Sequence, residues 1–399
     1  MTRFVTIQFF LLPTLGILAL LGSGVKNELP RLPKLNNDPV VVRPMWDDNR
    51  IVTDEQLAIA LKKLRFANQP KPKINHVDHA LRMWGLPARL DDQFLDGNQM
   101  VSMLTEDGTY KACWGEKARS LIVSTATGPR YRTREGAASS SHVDHTLATF
   151  AEVGLPLDYR IGSRHGLMEL RTLVERALTN FSLNQREYEW TALVWGLYAA
   201  DANAWRSREG QQVTFDRLAS RIMRQQFGQG VCYGGHRLFS LVMLRRIDIE
   251  QQRLFSDEMR SVVDAHLLEA TRLLVANQSP EGYWDRTWPG EPIGEIRELW
   301  ELGSRFLATS HAMEWWAMAP EHLLPPRETL IRAGQWMVVE LEKMDAVTTK
   351  KNYTFLTHAG RSLALWRGGF PHELYSESNS ESQSSTYLSL SADLNGAAP

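Results

Sequence analysis

This sequence predicts an all-α fold of helical hairpins, either an α/α toroid or an open hairpin repeat, behind an N-terminal membrane-targeting helix. Three observations carry that expectation: apolar residues recur at helical spacing, β-prone runs are few, and a histidine-marked motif returns at hairpin-sized intervals. With 43% hydrophobic residues in 399, the chain has enough apolar surface for one large packed domain, which excludes a disordered protein. Its 45 basic and 46 acidic residues leave a net charge of −1, so no overall field draws it to nucleic acid, and no such partner is expected.

At the N-terminus, Arg3 precedes an uncharged run from Phe4 to Gly24. Its length roughly matches the ~20 residues that cross a bilayer core as a helix. Gly22, Ser23 and Gly24 also suit a signal-peptidase site. Residues 1–24 therefore read as a signal anchor or a cleaved signal peptide. The expected location is extracytoplasmic: periplasmic or cell-surface and membrane-anchored with the segment retained, secreted with it removed. Residues 25–48, with Pro30, Pro33, Pro39 and Pro44, read as a proline-rich extended linker. Residues 376–399 begin with SESNSESQSSTYLSLS and read as a disordered Ser-rich tail. The helical domain spans 49–375.

Within that domain, Leu167, Leu170, Val174 and Leu178 form one helical stripe. Met259 to Leu274 carries a second and Leu330 to Leu341 a third. Ser120–Thr125 and Val40–Arg43 are β-prone but too isolated for a sheet of any size. The repeat is explicit: Asn75-His76-Val77-Asp78-His79-Ala80-Leu81 returns as Ser141-His142-Val143-Asp144-His145-Thr146-Leu147, each copy followed by an aromatic residue and Gly-Leu-Pro. Weaker echoes at Gly235-His236, Ser310-His311 and Thr357-His358 place a small or capping residue before a histidine. Asn184-Gln-Arg-Glu187 reads as a capping box ahead of Trp190 and Trp195. Such hairpins must bury their apolar faces on one another, in a solenoid or a closed ring.

Gln278-Ser-Pro-Glu-Gly282-Tyr-Trp284 resembles the Q-x-x-x-G-x-W motif of squalene and terpenoid cyclases and of protein prenyltransferase β-subunits. The resemblance implies an α/α toroid in which Gln278 and Trp284 tie one hairpin to the next. The cyclase acid motif D-x-D-D is absent, and Asp91-Asp92 does not replace it, so cyclase activity does not follow. The prenyltransferase β-subunits hold zinc through Asp, Cys and His; lanthionine cyclases, also toroids, use a Cys plus an adjacent Cys-His pair, a pattern this chain lacks.

If the inner helices run parallel, residues near their starts converge, gathering His76, His142, His236, His311 and His358 at one end of a cavity. Helix N-termini disfavour imidazolium, which would keep these groups neutral as ligands or bases. Asp78 and Asp144 read as capping-box carboxylates. Cys232-Tyr-Gly-Gly-His236 is the sharpest cluster: a thiolate and an imidazole across a Gly-Gly turn can share zinc, with Asp285 as a possible third ligand. Cys232 and Cys113 could instead pair as a disulfide; the sequence leaves this open. Carboxylates beside aromatic platforms, Glu187 and Glu189 near Trp190 or Asp285 near Trp284 and Trp288, suit glycan chemistry of the kind α/α-toroid glycoside hydrolases and polysaccharide lyases perform. Trp315, one turn after His311, shares its helical face and can line the cavity or pack in the core.

The candidate catalytic residues are thus His142, His311, His358, Glu189 and Asp285, the candidate ligand-binding residues Trp190, Trp315 and His76, and the candidate metal ligands Cys232 and His236. Two functional classes remain: a His/Trp-lined cavity that binds or processes an apolar or glycan ligand, and a non-catalytic repeat scaffold for a protein or cell-wall partner. A deep closed cavity favours the first, and an open superhelix with scattered histidines the second.

Overall fold

A computed structural model describes residues 32–164, 166–202, 204–251, 254–290 and 301–375. Segment 1–24, expected to target a membrane, and segment 376–399, expected to be a tail, lie outside these residues, and no described helix is long and apolar enough to cross a membrane. Helix accounts for 55% of the chain and strand for 8%, which makes it all-α.

The helices are α1 (Asp54–Lys63), α2 (Ile74–Trp84), α3 (Gly97–Thr105), α4 (Asp107–Trp114), α5 (His145–Glu152), α6 (Leu170–Asn180) and α7 (Tyr188–Tyr198). They continue with α8 (Phe215–Met223), α9 (Gly235–Gln251), α10 (Asp257–Ala276), α11 (Glu301–Ala317), α12 (Arg327–Lys343) and α13 (Ala346–Leu365). Among the described residues, strands occur only as two-stranded antiparallel hairpins: β1 (Ile122–Thr125) with β2 (Gly128–Tyr131), β3 (Arg160–Ser163) with β4 (Gly166–Glu169), and β5 (Trp205–Arg206) with β6 (Gln212–Val213). Val40–Arg43 forms no strand, and Leu167, expected to open a helical stripe, lies exposed in β4.

Two kinds of helix alternate along the chain. In α10 only Val263, Leu267, Ala270, Thr271 and Leu274 are buried, a single stripe of the kind that covers a core from outside. By contrast every residue of α7 is buried, as is every residue of α11 from Phe306 to Ala317. A helix apolar all round must be covered all round. The buried kind pack in the order α2, α5, α7, α9, α11, α13 and back to α2, while α1, α3, α8, α10 and α12 lie against them from outside. Close approach needs small residues: a Cβ at Gly360 on α13 would come within 2.5 Å of Met83 Cε on α2.

The stretch expected to be a free linker is extended but docked over its described part. Asn36 and Val40 N–H donate to Tyr198 and Leu197 carbonyls at the end of α7, both at 2.8 Å. Leu35 and Val42 are buried in the core, and Trp46 Nε1 donates to Ala319 O. Residues 32–48 therefore strap the domain; apolar side chains among the prolines made docking more favourable than solvation.

The histidine echoes at Ser310 and Thr357 do not mark helix starts. Both lie mid-helix, where the Ser310 hydroxyl donates to Phe306 O at 2.6 Å and the Thr357 hydroxyl to Thr354 O at 2.7 Å. Short hydroxyl side chains bond to nearby carbonyls as readily as they cap. Nor do Asp78, Asp144 or the Asn184–Glu187 segment cap: Glu187 itself precedes α7, in a left-handed conformation and without a capping bond. Each of these carboxylates binds tertiary partners instead.

Candidate functional site

Each buried helix contributes one ring to the centre of the molecule, and the six rings close on themselves in the order of the helices. His79 (α2) stacks on His145 (α5) with centroids 4.6 Å apart, and His145 meets Trp190 (α7) at 4.4 Å. Trp190 meets His236 (α9) at 4.2 Å, His236 meets His311 (α11) at 4.4 Å, and His311 meets His358 (α13) at 3.9 Å. His358 returns to His79 at 5.4 Å. All six are essentially buried, so the centre is filled with rings rather than hollow. Only the last histidine of each repeated His-Val-Asp-His reaches it.

Beside the rings lies a cycle of buried charge. Arg82 Nε and Nη1 contact Glu152 and Glu314 at 2.6 and 2.7 Å, and Arg361 Nη2 and Nη1 contact the same two carboxylates at 3.0 and 2.6 Å. Both guanidinium groups also lie over the Phe239 ring. Burial opposes the Glu314 charge, but Arg82 and Arg361 outweigh it and hold its carboxyl below the usual range. Glu314 Oε1 accepts from Arg82 and Arg361 and its Oε2 from His358 Nδ1, so Glu314 is held as an anion of this network although it lies close to His311 and His358.

The histidines are set by their Nδ1 atoms. His79 and His311 donate from Nδ1 to the Asn75 and Leu307 carbonyls at 2.8 and 2.7 Å, one turn back on their own helices. His145 and His358 donate from Nδ1 to Asp78 and Glu314 at 2.9 and 2.8 Å. A carbonyl or carboxylate can only accept, so in the neutral ring Nε2 carries the lone pair. Burial keeps four of these rings neutral: it drives His79, His236 and His358 well below the ordinary histidine value, with neighbouring imidazoles adding to the effect, and lowers His311 to about 4. His145 Nε2 and His358 Nε2 have no hydrogen-bond partner.

His236 Nε2 and His311 Nε2 face each other at 3.3 Å. This exceeds the usual N–H donor distance, yet two nitrogens bound at ~2.0–2.1 Å to one tetrahedral ion would lie about 3.3 Å apart. Cys232 Sγ completes the group, with all three donor atoms within 4.8 Å of one another. Local sequence builds this approach. Gly235 brings the start of α9 against α11, where a Cβ would stand 2.6 Å from His311 Cβ. Cys232 and Tyr233 both adopt left-handed backbone angles (φ 52°), a conformation that costs side-chain-bearing residues roughly 1–2 kcal/mol each. Trp288 Nε1 holds this turn through Tyr233 O at 3.0 Å. Burial pushes the Cys232 thiol up, and the Glu189 charge adds to the effect, so a cation is needed to ionise it.

A cavity of about 530 Å³ opens onto this cluster, with Cys232, His79, His76 and His142 in its lining. His76, buried against Tyr353, is lowered to about 4 by burial and by Lys73 and Lys350. His142 Nδ1 lies 3.3 Å from Glu187, which also accepts from Val143 N at 3.1 Å and pairs with Arg134. Burial pushes Glu187 up, yet these partners hold it at about 2. Glu189, at the start of α7 and next to Trp190 in sequence, is buried, and burial raises its carboxyl above the ordinary value.

The remaining sequence candidates fall elsewhere. Asp285 accepts from Thr287 N and Oγ1 at 2.8 and 2.6 Å in its own turn, and the metal group takes His311 instead. Trp315 packs on Trp316 within the core. Gln278 donates to Thr329 O at the start of α12, and Trp284 Nε1 to Leu274 O. Cys113 and Cys232 are both free thiols. Sequence reasoning passed over Arg82, Glu152, Arg361, His79 and His145. One signal was present: His79-x-x-Arg82, His311-x-x-Glu314 and His358-x-x-Arg361 share a single spacing, which places each charge one turn along the same helical face. Comparison with known proteins adds no relative: no family model, curated protein or solved structure matches this chain.

Proposed function

We propose that this chain is an extracytoplasmic, membrane-tethered α/α toroid enzyme whose Cys232, His236 and His311 hold one divalent ion of the zinc class for hydrolysis of a polar ligand. Six inner helices in cyclic contact, each giving one ring to a closed cycle, support the toroid over the open superhelix. The hairpin-to-hairpin bond of Gln278 is in keeping with the resemblance to terpenoid cyclases and prenyltransferase β-subunits. The apolar run before residue 25 supports the tether.

The reading rests on one observation: two neutral imidazoles with Nε2 atoms 3.3 Å apart beside a half-buried thiol. One sulfur and two nitrogens form a three-ligand set that leaves a fourth position for catalysis, and the ion supplies Lewis acidity there. The chain's own groups do the rest. His311 keeps its tautomer through Leu307 O. Glu189, raised by burial, accepts and returns a proton. The cavity reaches Cys232 and gives the ligand access, and Asn75, Ser141 and Thr354 in its lining offer a glycan-type ligand amide and hydroxyl groups.

Metal analysis of the purified full chain tests this. About one zinc per chain is expected after incubation with zinc and dialysis, and less in Cys232→Ser and His311→Gln chains that retain wild-type circular dichroism. A folded wild-type chain that keeps no metal overturns the proposal.

A further inference from the structure

The buried helices are finished differently at their two ends. At one end the cavity opens: its lining comes from the start of α2 (Asn75, His76), the stretch before α5 (Ser141, His142), the turn before α9 (Cys232) and the early turns of α13 (Thr354). At the other end the strap crosses the helices where they finish. Asn36 and Val40 bind the last two carbonyls of α7, and Arg246 near the end of α9 donates to Arg43 O at 3.1 Å. Trp46 Nε1 reaches Ala319 O just past α11, and Asp48 N donates to Trp366 O at 2.8 Å just past α13. Gly235 and Arg246 on α9, like Thr354 and Leu365 on α13, are eleven residues apart. At ~1.5 Å of rise per residue, mouth and strap stand about 17 Å from each other.

The strap also carries an apolar outer edge. In an extended segment alternate side chains share a side, and Val41 and Met45 are 62% and 50% exposed while Val42, pointing the other way, is buried. Arg43, on their side, is committed to Glu373, so the edge is apolar rather than charged. The described chain begins on this strap at Leu32, itself exposed, and residues 25–31 separate it from the end of the apolar run Phe4–Gly24. Even at full stretch those seven residues span only about 25 Å. We infer that the strap end is the membrane-facing surface of this protein, with Val41 and Met45 resting in the headgroup layer. The cavity mouth then faces the water beyond, so the substrate is a water-borne molecule or polymer and not a membrane lipid. This rests on the tether of the proposed function and not on its metal. Two exposed side chains hold lipid weakly on their own; the anchor supplies the effective concentration that makes their contact persist.

Reconstitution of the full chain into phosphatidylcholine–phosphatidylglycerol vesicles with rhodamine-labelled headgroups tests this. Flotation comes first: a chain that does not float with the vesicles removes the tether and the inference with it. In a floating chain a fluorescein donor is placed at Asp38→Cys on the strap or at Ala137→Cys on the mouth, both exposed positions, in a Cys113→Ser/Cys232→Ser background. Energy transfer to the headgroups should be at least twofold more efficient from the strap than from the mouth. Equal transfer, or more from the mouth, overturns the inference and leaves the tether standing. The wild-type chain gives a second test without substitutions. Hydroxyl-radical oxidation of Met45 should fall severalfold in vesicles relative to detergent micelles, while that of Phe355 at the mouth is unchanged. Met45 oxidised equally in both, or Phe355 protected instead, overturns the inference.

Discussion

Two groups of polar side chains share the buried centre of this protein and are finished in opposite ways. In the Arg82–Glu152–Arg361–Glu314 cycle each cation meets two anions and each anion two cations, at 2.6–3.0 Å along every edge. In the Cys232–His236–His311 group, donor atoms that would each take a metal face one another, and the adjoining His358 Nε2 has no partner. Buried polar groups are normally satisfied. A saturated network therefore indicates structure, and an unsaturated one beside it indicates a place for something else.

This contrast predicts unequal responses to mutation. The largest effect belongs to the saturated side: Arg82→Leu takes one of two cations from each of two buried carboxylates and should cost about 3–5 kcal/mol in urea unfolding, the usual penalty for breaking a buried ion pair. A loss under about 1 kcal/mol would show that the cycle does not bear on folding.

Next comes Asp78, which accepts from His145 Nδ1 and the Thr146 hydroxyl. Burial raises its carboxyl, but His145 and these bonds outweigh burial and hold it at about 2, below its ordinary 3.8. A lowered carboxyl stabilises the fold above its unfolded value and loses that contribution as pH falls toward the folded value. Wild type should thus exceed Asp78→Asn by about 2 kcal/mol at pH 7, with the gap closing between pH 4 and 2. A gap independent of pH would place the effect in packing rather than charge.

The smallest stability change belongs to the unsaturated side. Cys232→Ser in metal-free protein should shift stability by less than about 1 kcal/mol, since the thiol makes no hydrogen bond that folding needs, while zinc retention falls steeply. Equal damage to both properties would erase the distinction between the two groups.

The sequence made the helical class legible, because periodicity is a local signal, and three of the five histidines expected to converge, His236, His311 and His358, do meet, while the repeated motif sends His79 and His145 in place of His76 and His142. His236 and Cys232 were found together because a Gly-Gly turn joins them within five residues. His311 as their partner was not, since it arrives from a helix 75 residues away and its preceding Ser310 imitates a cap. Asp285, expected as the third ligand, is instead bound to its own turn through Thr287. The charge cycle joins four helices, and no window of sequence contains two of its members. The docked strap at 32–48 escaped notice because prolines describe how a backbone runs, not what it lies against.

X-ray absorption at the zinc edge of the reconstituted full chain tests the central claim most directly. The account predicts one sulfur at about 2.3 Å and two imidazole nitrogens at about 2.0–2.1 Å, with the sulfur shell lost in Cys232→Ser. A zinc surrounded by oxygen and nitrogen alone in the wild-type chain would contradict it.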